Sequence, residues 1–168
     1  MPGGIQPGTC ATSKESTLSE ARQVDIVENV ISSRGDDWRI EKSILIEDIL
    51  GYLGEYSRLK NGKSQTYSAD GGFVYYKNKL VGVCENKYQK TRQNACERAC
   101  RYLLFLKPEQ IFVSCDGPGF TRKDGQGSTG PIIDLFKHVG AFVLENEKDE
   151  SAYILKLNQW LDSLVRFA

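Results

Sequence analysis

The amino-acid sequence predicts an α/β protein in which a mixed β-sheet is flanked by helices. Apolar residues recur at helical spacing near both ends of the chain, and short runs rich in β-branched and aromatic residues occupy its middle. Two of those runs are separated by a short polar turn, as in a β-hairpin. With 168 residues, 40% of them hydrophobic and 26% charged, the chain has room for one folded domain rather than two.

The N-terminal region is predicted to be an arm followed by two helices. Residues 1–17 carry Gly, Pro, Ser and Thr without periodicity, which indicates a flexible arm before a single domain over 18–168. Thr17 or Ser19 can cap a first helix, which ends at Ser33–Gly35. Apolar residues near helical spacing predict a second helix over about 40–57.

The middle of the chain is predicted to form an antiparallel hairpin. Its strands are Phe73–Tyr76 and Leu80–Val83, and Asn78 and Lys79 are taken as the two turn residues. In that register the numbers of opposed residues sum to 157, so that residue 70 faces residue 87.

Helices and strands are predicted to alternate in the remainder of the chain. The expected elements are a helix over 91–106, a buried strand over 111–115, a helix over 131–138, a strand over 141–144 and a final helix over 150–167.

Charge is unevenly distributed along the chain. The whole chain has no net charge, but residues 76–107 hold eight basic and two acidic side chains, which leaves the rest of the chain at −6. Such a basic segment is typical of a surface that faces a polyanion, although a solvated helix face has the same composition.

The cysteine pattern and the hydropathy exclude several classes of protein. Five cysteines are an odd number, and none forms a Cys-x-x-Cys pair, which argues against a disulfide scaffold and a zinc site. No apolar run approaches the roughly 18 residues of a membrane span. We therefore expect a reduced, cytoplasmic protein with no membrane partner.

Three side chains of the hairpin form a candidate hydrolytic site. Glu85 and Lys87 are two apart on one strand and share a face, and Asp70 joins them in the predicted register. Two carboxylates suit Mg²⁺, and a neighbouring lysine can orient an attacking water, which is the chemistry of phosphodiester hydrolysis. The alternative is an ordinary surface ion pair, because Glu-x-Lys is common on exposed strands.

A resemblance favours the hydrolytic interpretation. The segments Asp70–Phe73 (DGGF), Glu85–Gln89 (ENKYQ) and Asn94–Arg98 (NACER) resemble, in order and approximate spacing, the type II restriction endonucleases of the PD-(D/E)xK fold, in their EcoRI and MunI branch. The resemblance covers residues 66 to about 120. It implies a restriction-endonuclease-like (PD-(D/E)xK) core.

The resemblance also implies roles for individual residues. Asp70 and Glu85 would be the acidic ligands of Mg²⁺, Lys87 the catalytic lysine, and the backbone carbonyl of Asn86 a further metal ligand. The residues expected to read DNA bases are Gln89, Arg92, Gln93, Asn94, Ala95 and Arg98. Those expected to contact DNA phosphates or the neighbouring subunit are Lys90, Glu97 and Arg101.

The chemistry of these side chains agrees with base reading. An Asn amide can both donate to and accept from adenine, and Arg offers paired donors to purine acceptors. The alternative for Asn94–Arg98 is an ordinary exposed helix start in which Asn94 caps the helix and Glu97 completes a capping box.

The sequence departs from its relatives at two positions. Ala69 replaces their Pro before the first acid, and Gln93 stands where they have Gly. Arg92 matches MunI and could contact a guanine of an outer C·G pair, so CAATTG is the first expectation for the full site.

We therefore expect a homodimeric, Mg²⁺-dependent type II site-specific deoxyribonuclease. It would hydrolyse double-stranded DNA at a palindromic site containing AATT and leave 5′-phosphate ends, with one subunit on each half-site. A cognate DNA methyltransferase is implied as a functional partner, not as a complex. Two alternatives remain open: a PD-(D/E)xK nuclease of DNA repair or structure-specific type, and a non-catalytic DNA-binding module.

Overall fold

A five-stranded mixed β-sheet organises the chain. The computed structural model describes residues 18–50, 66–87, 101–115, 137–145 and 147–168. The strands follow one another across the sheet in chain order: β1 (Trp38–Leu45), β2 (Thr66–Tyr76), β3 (Lys79–Lys87), β4 (Ile111–Cys115) and β5 (Phe142–Glu145). The first three strands are antiparallel neighbours, whereas β4 and β5 each join in parallel. The predicted α/β class with a mixed sheet is therefore confirmed.

Two long helices begin and end close to their predicted positions. α1 (Glu20–Ser32) is capped by the Ser19 hydroxyl, which accepts from the Arg22 amide, and is followed by the short α2 (Ile46–Leu50). α3 (Glu150–Leu164) is capped by the Asp149 carboxylate and leads into a short 3₁₀ helix. These side-chain caps satisfy amide groups that a helix start leaves without partners. Among the described residues, no helix is long and apolar enough to span a bilayer.

The sheet separates two clusters of buried residues. On one side α1 and α3 pack against the strands through Ile26, Val27, Val74, Cys84, Phe112, Leu157 and Leu161, and we call this side the helix-covered face. The other side, the aromatic face, is built from Tyr67, Phe73, Val83, Tyr102, Ile111 and Val113. Alternate residues of β3 and β4 project into the two clusters, as expected of strands buried on both sides.

The predicted helix over 40–57 is wrong where the structure describes it. Residues 38–45 form β1, only residues 46–50 are helical, and residues 51–57 lie outside the described residues. Ile40 and Ile44 are four apart, which fits a helix, but β1 pairs with β2, where Trp38 packs on Tyr76 and Arg39 lies over the Tyr75 ring. Pairing with β2 thus overrides a weak helical spacing.

The hairpin between β2 and β3 is confirmed, but its turn lies one residue earlier than predicted. Lys77 and Asn78 both have positive φ, as a two-residue type I′ turn requires, and Tyr76 pairs with Lys79. The sequence does not favour a turn at 77–78, because Lys rarely adopts positive φ.

A β-bulge in β3 shifts the register of the hairpin again. Tyr75 pairs with Leu80 but Val74 pairs with Gly82, so Val81 is the extra residue. Opposed numbers therefore sum to 155 near the turn and to 156 beyond the bulge, rather than to 157. The predicted opposition of Asp70 and Lys87 is off by one residue.

The later elements agree with their predictions apart from some boundaries. β4 spans the predicted residues, and β5 lies one residue later than predicted. The helix expected over 91–106 is helical only at 101–102 among its described residues and gives way to a turn at 103–105. Of the helix expected over 131–138, only 137–138 are described, and they are helical. The predicted arm, 1–17, lies outside the described residues.

Candidate active site

Asp70 lies in an irregular part of β2, opposite a single residue of β1. Glu41 pairs with Phe73 and Ser43 pairs with Ser68, so that Lys42 alone faces residues 69–72. The Lys42 ammonium donates to the backbone carbonyl of Asp70 over 2.9 Å and forms an ion pair with Glu28 of α1. Asp70 is half-buried, and its Oδ2 is removed from solvent. Lys42 therefore connects this bulged segment to α1.

The two glycines after Asp70 are required by close approach of the backbone. A Cβ atom at residue 71 would lie 2.2 Å from Asn86 Oδ1 and 2.4 Å from Cys84 Cβ. Gly72 has a φ of +107°, and a Cβ there would lie 2.5 Å from the Ile40 side chain. Since L-residues rarely adopt such a φ, the pair of glycines lets the Asp70 segment lie tightly between β1 and β3.

Glu85 is a fully buried carboxylate on the aromatic face of β3. Its exposed fraction is 0%, and its Oε1 accepts a hydrogen bond of 2.7 Å from the Tyr102 hydroxyl. The same hydroxyl lies 3.1 Å from the backbone carbonyl of Ser68 on β2, two residues before Asp70. Burial of a carboxylate costs several kcal/mol unless its partners or a cation compensate for lost hydration.

Asp70 and Glu85 lie on adjacent strands at nearly the same level of the sheet. Gly72, two residues after Asp70, pairs with Cys84, the residue before Glu85. The structure thus brings the two predicted acids onto neighbouring strands, although not in the predicted register. Convergence of their carboxylate groups stays a prediction.

Asn86 has a role that the sequence did not reveal. Its side chain lies on the helix-covered face, where its amide nitrogen donates to the Tyr153 hydroxyl over 2.8 Å and to the Ser114 hydroxyl. Ser114 in turn donates to Gln23 Oε1 over 2.6 Å. All four polar side chains are buried and join α1, β3, β4 and α3. The proposed use of the Asn86 backbone carbonyl as a metal ligand is not tested by this network.

One signal in the sequence points to this network. Gln23 interrupts the apolar face of α1, and Ser114 interrupts the apolar run of β4. Buried polar residues at such positions need hydrogen-bond partners, so they could have been expected to find one another. Tyr102 gives no comparable signal, because a buried tyrosine is ordinary in an aromatic cluster.

The other predicted site residues are described only in part. Lys87 is the last residue of β3 and pairs through its backbone with Cys115, but its side chain lies outside the described part of the structure. Eight further predicted residues lie wholly outside the described part of the structure: Gln89, Lys90, Arg92, Gln93, Asn94, Ala95, Glu97 and Arg98. Arg101 is exposed and lines a cavity of about 140 Å³ with Thr66, Ser68 and Tyr102. It is therefore accessible to a solvent-borne anion.

Cys84, beside Glu85, is not suited to nucleophilic chemistry. The thiol is fully buried, and burial raises its pKa well above the usual range, an effect that the nearby Lys42 charge only partly offsets. Since the thiolate is the reactive form, Cys84 acts as a small apolar residue of the helix-covered face.

The predicted pair of acids has the donor chemistry that Mg²⁺ prefers, rather than that of a metal held by a complete protein cage. The described residues contain no group of three or more His, Cys, Asp or Glu side chains able to hold a metal. Mg²⁺ is bound through one or two carboxylates and keeps several waters. Asp70 and Glu85 are carboxylates of that kind, and their joint binding of one ion stays a prediction, whereas a structural zinc site would need four ligands.

Comparison with known proteins adds no relative. No protein-family model, no curated protein and no solved structure matches the chain.

Proposed function

We propose that this protein is a Mg²⁺-dependent, site-specific deoxyribonuclease of the type II restriction endonuclease kind. The observation that carries the proposal is the buried Glu85 on β3, beside the tightly packed Asp70-Gly71-Gly72 segment of β2. A buried carboxylate on a central strand, with a second acid on the neighbouring strand, is unusual for a purely structural sheet. The mixed sheet and the hairpin are compatible with the restriction-endonuclease-like core that the sequence resembles.

In the proposed reaction Asp70 and Glu85 hold the metal ion, and Lys87 orients the attacking water. Mg²⁺, when bound, supplies stabilisation of the negative charge that develops on the phosphate. The water oxygen forms a bond to phosphorus while the bond from phosphorus to O3′ breaks. The attacking water gives up one proton to the surrounding solvent, and the leaving O3′ takes one proton from solvent, so that the products are a 3′-hydroxyl and a 5′-phosphate.

Sequence recognition is assigned to the segment that follows β3. Asn94, Ala95 and Arg98, with Gln89, Arg92 and Gln93, would read an AATT-containing palindrome, with CAATTG as the first site to try. Lys90, Arg101 and Glu97 would contact phosphates or the second subunit. Two copies of the chain would read the two half-sites of the palindrome.

Digestion of a plasmid of known sequence in Mg²⁺, followed by sequencing of the ends, tests the proposal. We expect discrete fragments whose 5′-phosphorylated ends lie at AATT. Glu85→Gln and Lys87→Met should abolish cutting while leaving specific DNA binding in Ca²⁺ intact, because phosphate-directed groups do not read bases. Matched controls are Asp36→Asn in the exposed turn before β1 and Lys79→Met, exposed at the start of β3.

Each other outcome has a distinct meaning. Discrete cutting at another sequence would reject the AATT assignment and keep the nuclease. Cutting at branched or damaged DNA without a fixed sequence would favour a repair-type nuclease. Binding to AATT-containing duplex with no cutting in Mg²⁺ would favour a non-catalytic DNA-binding module and overturn the proposal.

A further inference from the structure

The Tyr102 hydroxyl joins the backbone of β2 to the side chain of Glu85. It lies 2.7 Å from Glu85 Oε1 and 3.1 Å from the Ser68 carbonyl. A phenol has one proton to donate, and hydrogen bonds to a carboxylate are shorter and stronger than those to a neutral carbonyl. The distances therefore indicate that Tyr102 donates mainly to Glu85.

The Tyr102 ring is held independently of Glu85. It is 2% exposed and makes edge contacts with Phe73 at 5.5 Å, Tyr67 at 6.3 Å and Phe105 at 6.4 Å between ring centroids. Its backbone carbonyl accepts from the amides of Phe105 and Leu106 where the chain leaves its helical turn. The hydroxyl is thus fixed by the aromatic face before any ligand binds.

A fixed donor matters for a glutamate that binds a metal. A Glu side chain has three rotatable bonds, and ordering it costs rotamer entropy. A donor that already holds one oxygen removes part of that cost before the cation arrives. Partners of metal-binding carboxylates act in this way, and their loss weakens metal affinity by about 10–100-fold.

We propose that Tyr102 is a positioning residue of the active site, whose hydroxyl orients the Glu85 carboxylate to receive the divalent cation. The inference rests on the proposed function, because it treats Glu85 as a metal ligand. A merely structural hydrogen bond would instead stabilise the folded chain and leave its metal affinity unchanged. Metal affinity therefore separates the two interpretations.

The first experiment measures Mn²⁺ binding to the DNA-free protein by electron paramagnetic resonance. We expect Tyr102→Phe, which keeps the ring and loses only the hydroxyl, to weaken Mn²⁺ binding by about tenfold. The Mg²⁺ concentration that gives half-maximal DNA cleavage should rise in parallel, with cutting recovered at high Mg²⁺. Tyr67→Phe removes a hydroxyl from the same cluster and should change neither quantity. Equal Mn²⁺ affinity in Tyr102→Phe and the wild type would overturn the inference.

A double substitution tests whether Tyr102 acts through Glu85. In a Glu85→Gln background the carboxylate is absent, so adding Tyr102→Phe should produce no further loss of Mn²⁺ affinity. A further loss as large as that in the wild-type background would contradict a role through Glu85.

If the Tyr102→Phe variant does not fold, a measurement that keeps the Tyr102 hydroxyl tests the inference instead. With 3-fluorotyrosine at position 102, we expect the fluorine NMR resonance to shift on addition of Mg²⁺, and the same label at position 67 to shift less. If the protein binds Mn²⁺ but the resonance at position 102 does not shift, the inference about Tyr102 is overturned and the proposed function is retained. Absence of both Mn²⁺ binding and DNA cleavage in the wild type would instead overturn the proposed function.

Discussion

Glu85 and Asn86 are neighbours in sequence, yet they lie in opposite kinds of environment. Glu85 lies among aromatic side chains and receives a hydrogen bond from Tyr102, whereas Asn86 lies in a network of amides and hydroxyls with Gln23, Ser114 and Tyr153. Both side chains are fully buried. A buried neutral amide in such a network contributes to stability and specificity of packing, while a buried carboxylate among aromatic residues costs stability. The comparison predicts that one face of β3 serves the fold and the other serves chemistry.

The largest expected effect is on activity, from Glu85→Gln. The neutral amide cannot replace an anionic ligand of Mg²⁺, and losing several kcal/mol of charge stabilisation corresponds to a loss of about 10³-fold in cleavage rate. Urea unfolding in metal-free buffer should show no fall in the free energy of unfolding, because the variant no longer buries a charge. A stability loss as large as that of an Asn86 variant, with cleavage retained, would reverse the roles assigned to the two faces.

The next effect is on stability, from Asn86→Ala. Removing the amide leaves buried hydroxyl and amide groups of Ser114, Tyr153 and Gln23 short of partners, at a cost of about 1–3 kcal/mol for each group left unsatisfied. We expect the free energy of unfolding, measured in urea, to fall by about 3 kcal/mol. Cleavage per folded molecule should remain, since the substitution keeps the backbone carbonyl of residue 86. An unchanged urea midpoint would show that the network adds nothing to stability.

The smallest effect concerns the edge of the helix-covered face, where Arg22 of α1 meets Glu150 of α3. The guanidinium donates two hydrogen bonds, of 2.6 and 2.7 Å, to the carboxylate. These bonds and the Arg22 charge lower the pKa of Glu150 below its ordinary 4.5. Stability from the pair is therefore present above about pH 4.5 and is lost as the pH falls through the lowered pKa.

Glu150→Gln tests this pH dependence. The wild type should have a slightly higher Tm than the variant near neutral pH, and the difference should vanish in acid and shrink in high salt, because both groups are exposed. If the Tm difference persists at a pH below the pKa of Glu150 in both the folded and the unfolded chain, the ion pair is not its cause.

The sequence predicts the elements whose pattern is local and misses what depends on partners. α1 and α3 carry caps and sustained apolar spacing, and β4 is a short run that is apolar apart from Ser114, so the sequence locates each of them closely. The helix that the sequence predicts over β1 is wrong, because the pairing of β1 with β2 leaves little trace in its own residues. The hairpin was found, but its register depends on a Lys in the left-handed region and on one extra residue, neither of which has a distinctive sequence signal.

The candidate site divides in the same way. Residue type and order alone predict Asp70, Glu85 and the two glycines, and the structure adds the steric reason for Gly71, while a catalytic role for the two acids stays a prediction. Tyr102 and the Asn86 network were missed because they join residues far apart in the chain. For Tyr102 and Glu85 the separation is 17 residues, and for Asn86 and Tyr153 it is 67.

The extra residue in β3 determines which face of the sheet Glu85 and Asn86 each occupy. Val81 packs on the helix-covered face, and a Cβ at Gly82 would meet Trp160 and Leu164 of α3, so two consecutive positions point the same way. From there onward the alternation is inverted relative to the turn end of the strand. Deletion of one residue at 81 or 82 would therefore exchange the destinations of the acid and the amide. The extra residue, four positions before Glu85, thus determines whether the carboxylate lies beside the Tyr102 hydroxyl or in the place of the Asn86 amide.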